Sequence, residues 1–285
     1  MDPYEDSSHG GDSMICLLPG ASATGRDFLL EKLLAHTDVI GSRLSFDRPL
    51  RIIIAKKTTT RPSRGVDLLK NCVSREDFES GRTRGEIIAP YILESNSELY
   101  GYHIDAFQQS DADMLIADAS VYQMSELASR FGDRVYSASM IATRAYRETN
   151  LRTRGSEKEE EITDRLNLGD AHVAIAIMMS RKSGLSYRDF IDPTLADLFD
   201  SLITHAEADE KSVRTSQLIA DFTKSKNVTA IVQNLARSDA PCIDELIVLT
   251  DLHRIAGETD ITSTAFFDLG VSILKNALKK PVVYA

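Results

Sequence analysis

Short apolar runs and helical stripes alternate along the chain up to about residue 180. "SMICLLPG" (13–20) is apolar and closes on glycine, the pattern of a parallel strand buried on both faces. In "RDFLLEKLLAH" (26–36), Phe28, Leu29, Leu33 and Leu34 recur at helical spacing. "LRIIIAKKTTT" (50–60) predicts a second buried strand running into a polar, basic loop. "SREDFESGRTRG" (74–85) predicts a short helix capped by Ser74, with Asp77 at the capping-box position and Gly85 as its stop. "IIAPYILES" (87–95) and "LYGYHI" (99–104) predict strand pieces interrupted at Pro90. "DMLIADAS" (113–120) predicts a strand ending at a carboxylate, "VYQMSELASRF" (121–131) a helix, "DRVYSASMI" (133–141) a strand, and "TRAYRETNLRTRG" (143–155) a helix ending at Gly155. A charged helix with Ser156 as N-cap and Glu159 at the capping-box position opens the stretch 156–182. This alternation predicts a parallel α/β sheet with both faces covered.

From about 186 to 240 the pattern turns helical. Leu195, Leu198, Phe199, Leu202 and Ile203 share one face, as do Val228, Ile231, Val232 and Leu235. "DELIVLTD" (244–251) then predicts a late strand, and "STAFFDLGVSILKNALKK" (263–280) a closing amphipathic helix. The expected division is a disordered tail over 1–12, a core unit over 13–174, a helical insertion over 175–242, and a last strand and helix over 243–285 that complete the core.

Composition narrows the function classes. The net charge is −10, which argues against a long-range attraction to nucleic acid or an anionic membrane while allowing a local basic pocket. The three cysteines, Cys16, Cys72 and Cys242, are far apart and form no C-x-x-C, as expected of reduced thiols in a cytoplasmic protein. The first 13 residues have neither a basic nor an apolar region, so no secretory signal is expected, and the longest apolar run, 173–179, is too short to cross a bilayer.

The chemistry concentrates in the turn after the first strand. Gly20 and Gly25 have the separation of a phosphate-binding loop, G-x-x-x-x-G-K-[ST], with Ala21, Ser22, Ala23 and Thr24 between them. Arg26 stands at the lysine position and Asp27 at the hydroxyl position. Such a loop aims successive backbone N–H groups and the positive end of a helix at one point. Arg26 can pair with phosphate oxygens through two bonds, and Asp27 is a competent Mg²⁺ ligand. The alternative is a turn that merely joins strand to helix.

Two further clusters matter. "KKTTTRPSRG" (56–65) carries Lys56, Lys57, Arg61 and Arg64, either a solvated basic loop or a clamp for an anionic substrate through Arg61 and Arg64. "LRTRGSEKEEEITDRL" (151–166) places Arg152, Arg154 and Arg165 around an acidic helix start, which alone is the pattern of a charged surface helix. The six histidines show no metal-ligand spacing, and His103 is read as a surface or packed residue or as a substrate contact.

Taken in order, "PGASATGRD", "TTTRPSRG", "VSREDFESGRTRGE", "LYGYHI" and "LRTRGSEKEEEITDRL" resemble the guanylate kinase superfamily over about residues 13–170, and over 243–282 in part. The resemblance implies a P-loop kinase-type three-layer α/β fold with a parallel central sheet, a lid, and here an additional helical segment. The positions with which guanylate kinases read guanine hold Ala89, Tyr102 and Lys70. In its loop details the chain is similar to the ribose 1,5-bisphosphate phosphokinase branch, which shares the loop aspartate (Asp27), the run Thr60–Arg61–Pro62 and the pair Tyr100–Gly101.

What this resemblance implies is an ATP- and Mg²⁺-dependent phosphotransferase acting on a small phosphorylated substrate, foremost ribose 1,5-bisphosphate converted to phosphoribosyl pyrophosphate. ATP phosphates would lie over residues 20–27, with Mg²⁺ at Asp27. Arg61, Arg64 and Tyr100 would hold the acceptor, and Arg154 and Arg165 would close from the lid. Asp118 is read either as orienting a hydroxyl or metal-bound water, or as a turn or helix-cap carboxylate. The alternatives are a guanylate or other nucleoside monophosphate kinase, and a non-catalytic module that binds phosphorylated ligands through the same arginines.

Overall fold

A computed structural model describes residues 13–63, 69–93, 97–109, 111–155, 158–180, 184–204, 210–237, 243–249 and 265–280. The expected tail over 1–12, Arg64, Ser156 and Cys242 lie outside the described residues.

The described strands are β1 (Met14–Leu17), β2 (Ile52–Ile54), β3 (Lys57–Thr59), β4 (Lys70–Cys72), β5 (Ile87–Leu93), β6 (Glu98–His103), β7 (Met114–Ala117), β8 (Val135–Ala142) and β9 (Glu245–Leu249). The helices are α1 (Arg26–Ala35), α2 (Thr37–Arg43), α3 (Arg75–Thr83), α4 (Met124–Phe131), α5 (Arg144–Arg154), α6 (Glu159–Met179), α7 (Pro193–Thr204), α8 (Glu210–Thr223), α9 (Asn227–Arg237) and α10 (Ala265–Lys279).

The central sheet has the order β2-β7-β1-β8-β9, and every pair in it is parallel. Because residues of a strand alternate between faces, β1 feeds two cores. Ile15 and Leu17 pack with Met124 and Leu127 of α4 and with the inner faces of α6, α7, α8 and α9. Met14, Cys16 and Leu18 pack on the other side with Leu29 and Leu33 of α1 and with Phe267 and Leu274 of α10. The architecture is therefore the three-layer α/β fold with a parallel central sheet that the apolar runs predict. No helix among the described residues is long and apolar enough to cross a membrane.

A second sheet, β4-β3-β6-β5, departs from expectation. The stretch 50–60 is two strands rather than one: β2 joins the central sheet, the chain turns at Ala55–Lys56, and β3 enters the second sheet, where it pairs with β6 antiparallel and with β4 parallel. Lys57 is consequently buried in a strand and not part of a solvated loop. Pro90 does not interrupt β5. It sits in an edge strand at a shift of register between Ile88 and Tyr91, beside Ala89 at φ 46°, the irregularity that lets a residue without an N–H remain in a sheet. Ser74 caps α3 as predicted, accepting from the Asp77 amide at 3.0 Å.

The boundary drawn after residue 174 falls inside α6, a continuous helix of 21 residues that begins in the lid region and ends in the core. Its N-cap is Lys158, two positions beyond the expected Ser156, with the Lys158 amide donating to Glu161 Oε2 at 3.4 Å. The helices after it share one apolar cluster with β1: Leu195, Phe199, Ile219, Val228 and Val232 belong to the same core as Ile15.

Candidate functional site

The turn between β1 and α1 is held tightly against the sheet. Ser139 Oγ donates to Pro19 O at 2.9 Å, and a Cβ on Gly20 would stand 2.8 Å from Met140 O, so only glycine fits there. Gly25 is left-handed, at φ 83° and ψ 10°, and starts α1 without a side-chain cap. The first-turn amides of α1 thus keep their hydrogens for a ligand, at the positive end of the helix. Asn150 Nδ2 on α5 donates to Ala23 O at 3.0 Å, which ties α5 to the same loop.

Residues 20–27 line one wall of a cavity of about 540 Å³. Lys57, Arg61, Lys70, Tyr100, Asp118 and Arg165 face the same space from other elements. The structure therefore brings together the loop, Arg61 and Arg165, which are far apart in sequence. Arg154 ends α5, where its backbone alone is described. Arg152 is held at the surface by Glu148 (2.8 Å) and Glu159 (2.6 Å).

Arg26 does not reach outward. Its Nη1 donates to Leu18 O at 2.8 Å and Ala119 O at 3.1 Å, and its Nη2 to Ala21 O at 3.4 Å. With both Nη1 hydrogens aimed at carbonyls, Asp118 Oδ1, 2.7 Å from Nη1, makes an ion pair without an aligned hydrogen bond. Lys57 Nζ donates to Asp118 Oδ2 at 3.4 Å, and Tyr102 Oη to Asp118 O at 2.8 Å. Burial alone would raise the Asp118 pKa, but Arg26, Lys57 and Lys70 outweigh it and hold the carboxyl below the ordinary carboxylate range. Asp118 is thus a fixed anion under the loop. It caps no helix, and its charge is engaged by cations.

Six Lys or Arg side chains line the cavity (Arg26, Lys57, Arg61, Lys70, Arg165 and Lys224), against three aspartates, Asp27, Asp118 and Asp164. This excess of positive charge stands in a chain of net charge −10. The arrangement suits a polyanion. Asp27 points into the space from the first turn of α1, 3.9 Å from Lys70 Nζ. Among the described residues no cluster of three or more His, Cys, Asp or Glu side chains could hold a metal. Asp27, a single carboxylate, could hold a Mg²⁺ only where a nucleotide brings it, since such an ion keeps several waters and takes one or two carboxylates besides phosphate oxygens.

Sequence reasoning missed much of the lining, Tyr91, Leu93, His172 and Lys224 among it. Tyr91 stacks on Tyr100 with ring centroids 5.2 Å apart and planes at 17°. Residue 91 follows the bulge and residue 224 lies in the turn between α8 and α9 of the additional segment, so neither sits in a pattern that signals a site. His103 lies away from this lining and contacts Asp105 at 3.3 Å.

No protein-family model matches the chain, and no curated protein matches it. Among solved structures, the chain is similar to the crystal structure of guanylate kinase from Anaplasma phagocytophilum, at 16% identity, with a TM-score of 0.36, over 74% of this chain and 95% of that chain.

Proposed function

We propose that the chain is an ATP-dependent phosphotransferase whose acceptor is a small phosphorylated molecule. The observation that carries this reading is the cationic cavity built on a glycine-bounded, uncapped helix N-terminus. ATP phosphates lie against the loop amides of residues 20–27, and Arg61 with Lys70 holds the acceptor's phosphate. Arg165 and Lys57 face the charge that spreads over the transferring group. Bound with the nucleotide and anchored by Asp27, Mg²⁺ supplies further neutralisation of that charge. Catalysis is then positioning plus electrostatics.

The preferred acceptor is ribose 1,5-bisphosphate. An acceptor phosphate is already ionised, so transfer to it needs no base, in keeping with an Asp118 whose charge is engaged by Arg26 and Lys57. Two of the positions expected to read guanine offer no free edge. Ala89 is buried, with its amide bonded to Glu126 and its carbonyl to Gln123, both at 2.8 Å. Tyr102 is wholly buried and its hydroxyl donates to Asp118 O. GMP is therefore the weaker candidate. A second reading, a phospholigand-binding module without catalysis, is favoured by one observation, the inward engagement of Arg26.

A product assay separates these readings. Purified protein is offered ATP–Mg²⁺ with ribose 1,5-bisphosphate, ribose 5-phosphate, GMP or dGMP. Turnover of ribose 1,5-bisphosphate, absent in Arg61→Ala, is the expected result. Binding of the sugar phosphates with no product from any acceptor would establish the module instead. Saturating ATP–Mg²⁺, at about a hundred times its Kd, should also stabilise the fold by about 2.7 kcal/mol in thermal unfolding.

A further inference from the structure

The helical segment after α6 takes no part in the chemistry described so far, yet it reaches the cavity. Thr223, the last residue of α8, and Lys224 beside it both line that space. Lys224 adopts φ 53°, a conformation that side-chain-bearing residues rarely take. The turn between α8 and α9 is pinned in place. Thr223 Oγ1 donates to Ile219 O at 2.7 Å and accepts from the Ser225 amide at 3.3 Å, and Asn227 Nδ2 donates to Ile92 O of β5 at 3.3 Å.

His172 of α6 lines the same cavity. Its Nε2 is enclosed and has no hydrogen-bond partner. An enclosed polar nitrogen of this kind calls for a ligand atom or water. Burial, with Arg26, Arg147 and Lys57 nearby, pushes its pKa down to about 3, so the ring is neutral at physiological pH. Tyr122 links this histidine to the turn: its ring meets the imidazole edge-on at 5.0 Å, and its hydroxyl lies 3.4 Å from Ser225 Oγ.

We propose that the α8–α9 turn is a second recognition wall for the acceptor, in which Lys224 binds an anionic group and His172 Nε2 a hydroxyl, so that the cavity prefers sugar bisphosphates to monophosphates. This inference rests on the phosphotransferase reading for the assignment of the opposite wall to ATP. It gives the helical segment a role in choosing the acceptor rather than in transferring the phosphoryl group.

Calorimetric titration of the full chain tests it, with ATP–Mg²⁺, ribose 5-phosphate and ribose 1,5-bisphosphate as probes. The variants are Lys224→Asn, because asparagine tolerates the left-handed backbone, and His172→Phe, which keeps a ring against Tyr122. The wild type should bind the bisphosphate about tenfold more tightly than the monophosphate. In Lys224→Asn that ratio should fall to within about twofold, with ATP affinity unmoved. His172→Phe should weaken both sugar phosphates by about threefold to tenfold, the size of one hydrogen bond. An unchanged ratio in Lys224→Asn, or a loss falling on ATP instead, overturns the proposal. A wild type that binds ATP–Mg²⁺ but neither sugar phosphate also overturns it while leaving a phosphotransferase for another acceptor. Lys224-dependent preference without ATP binding upholds the wall and removes the phosphotransferase reading.

Discussion

Arg26 shows how one side chain can be legible in identity and illegible in role. Its place after Gly25 marks a phosphate loop, and its charge suggests a phosphate contact. Its partners, the carbonyls of Leu18 and Ala119 and the carboxylate of Asp118, include groups up to 93 positions away, which no local pattern discloses. The guanidinium therefore braces the loop from beneath. Arg26→Met should cost about 3 kcal/mol in urea unfolding, because a buried carboxylate loses its nearest cation. The pH dependence follows from the depressed Asp118 pKa. A carboxyl whose folded value lies below its unfolded value of about 3.9 contributes stability above that pH and loses it as pH falls through the folded value. The gap between wild type and Arg26→Met should be largest near neutral pH and narrow in acid, as Asp118 takes up its proton first in the variant and then in the wild type. A gap that widens in acid would contradict the assignment of Asp118 as an ionised partner.

At the scale of elements, what the sequence discloses is local periodicity. β1, α1, β7, β8 and α10 occupy the stretches whose apolar pattern predicts them, and α3 the stretch whose cap predicts it. The failures share a cause. β3 (Lys-Thr-Thr) and β4 (Lys-Asn-Cys) are each three residues long with almost no apolar content, and they form by pairing within the second sheet, where β3 is buried. The bulge at Ala89–Pro90 likewise depends on which neighbour β5 meets. The loop itself rests on backbone conformation. A Cβ at Gly25 would lie 3.0 Å from Phe266 Cζ, on a residue already at φ 83°. Gly25→Ala should cost about 1–2 kcal/mol in thermal unfolding and weaken ATP–Mg²⁺ binding in parallel. Loss of stability with undiminished nucleotide affinity would show that the α1 amides do not contact the phosphates.

Across the whole molecule, the helical segment and the sheet share one core, so they should unfold together. The chain has no tryptophan, and tyrosine fluorescence and far-ultraviolet circular dichroism should give a single coincident urea transition. Two separated transitions would mean that α7, α8 and α9 fold on their own. The sharpest joint is Asp170, fully buried on α6, which pairs with Arg144 and Arg147 of α5 and accepts from the Asp192 amide at 3.2 Å just before α7. Asp170→Asn leaves Arg147 charged and enclosed, and should cost about 3–5 kcal/mol in the same experiment. Patterning reveals none of this, since Asp170 is one more acidic residue in a stretch read as opening with a charged helix.

One consequence of the unbroken α6 concerns motion. Arg165 sits two turns from His172 on the same rigid rod, about 10 Å along its axis at 1.5 Å per residue. A ligand that draws Arg165 inward must carry His172 with it, and through Asp170 the root of α7. On the proposed phosphotransferase reading, capture is then geared, with both jaws mounted on one shaft, so that gripping the phosphoryl donor also sets the bite on whatever receives it.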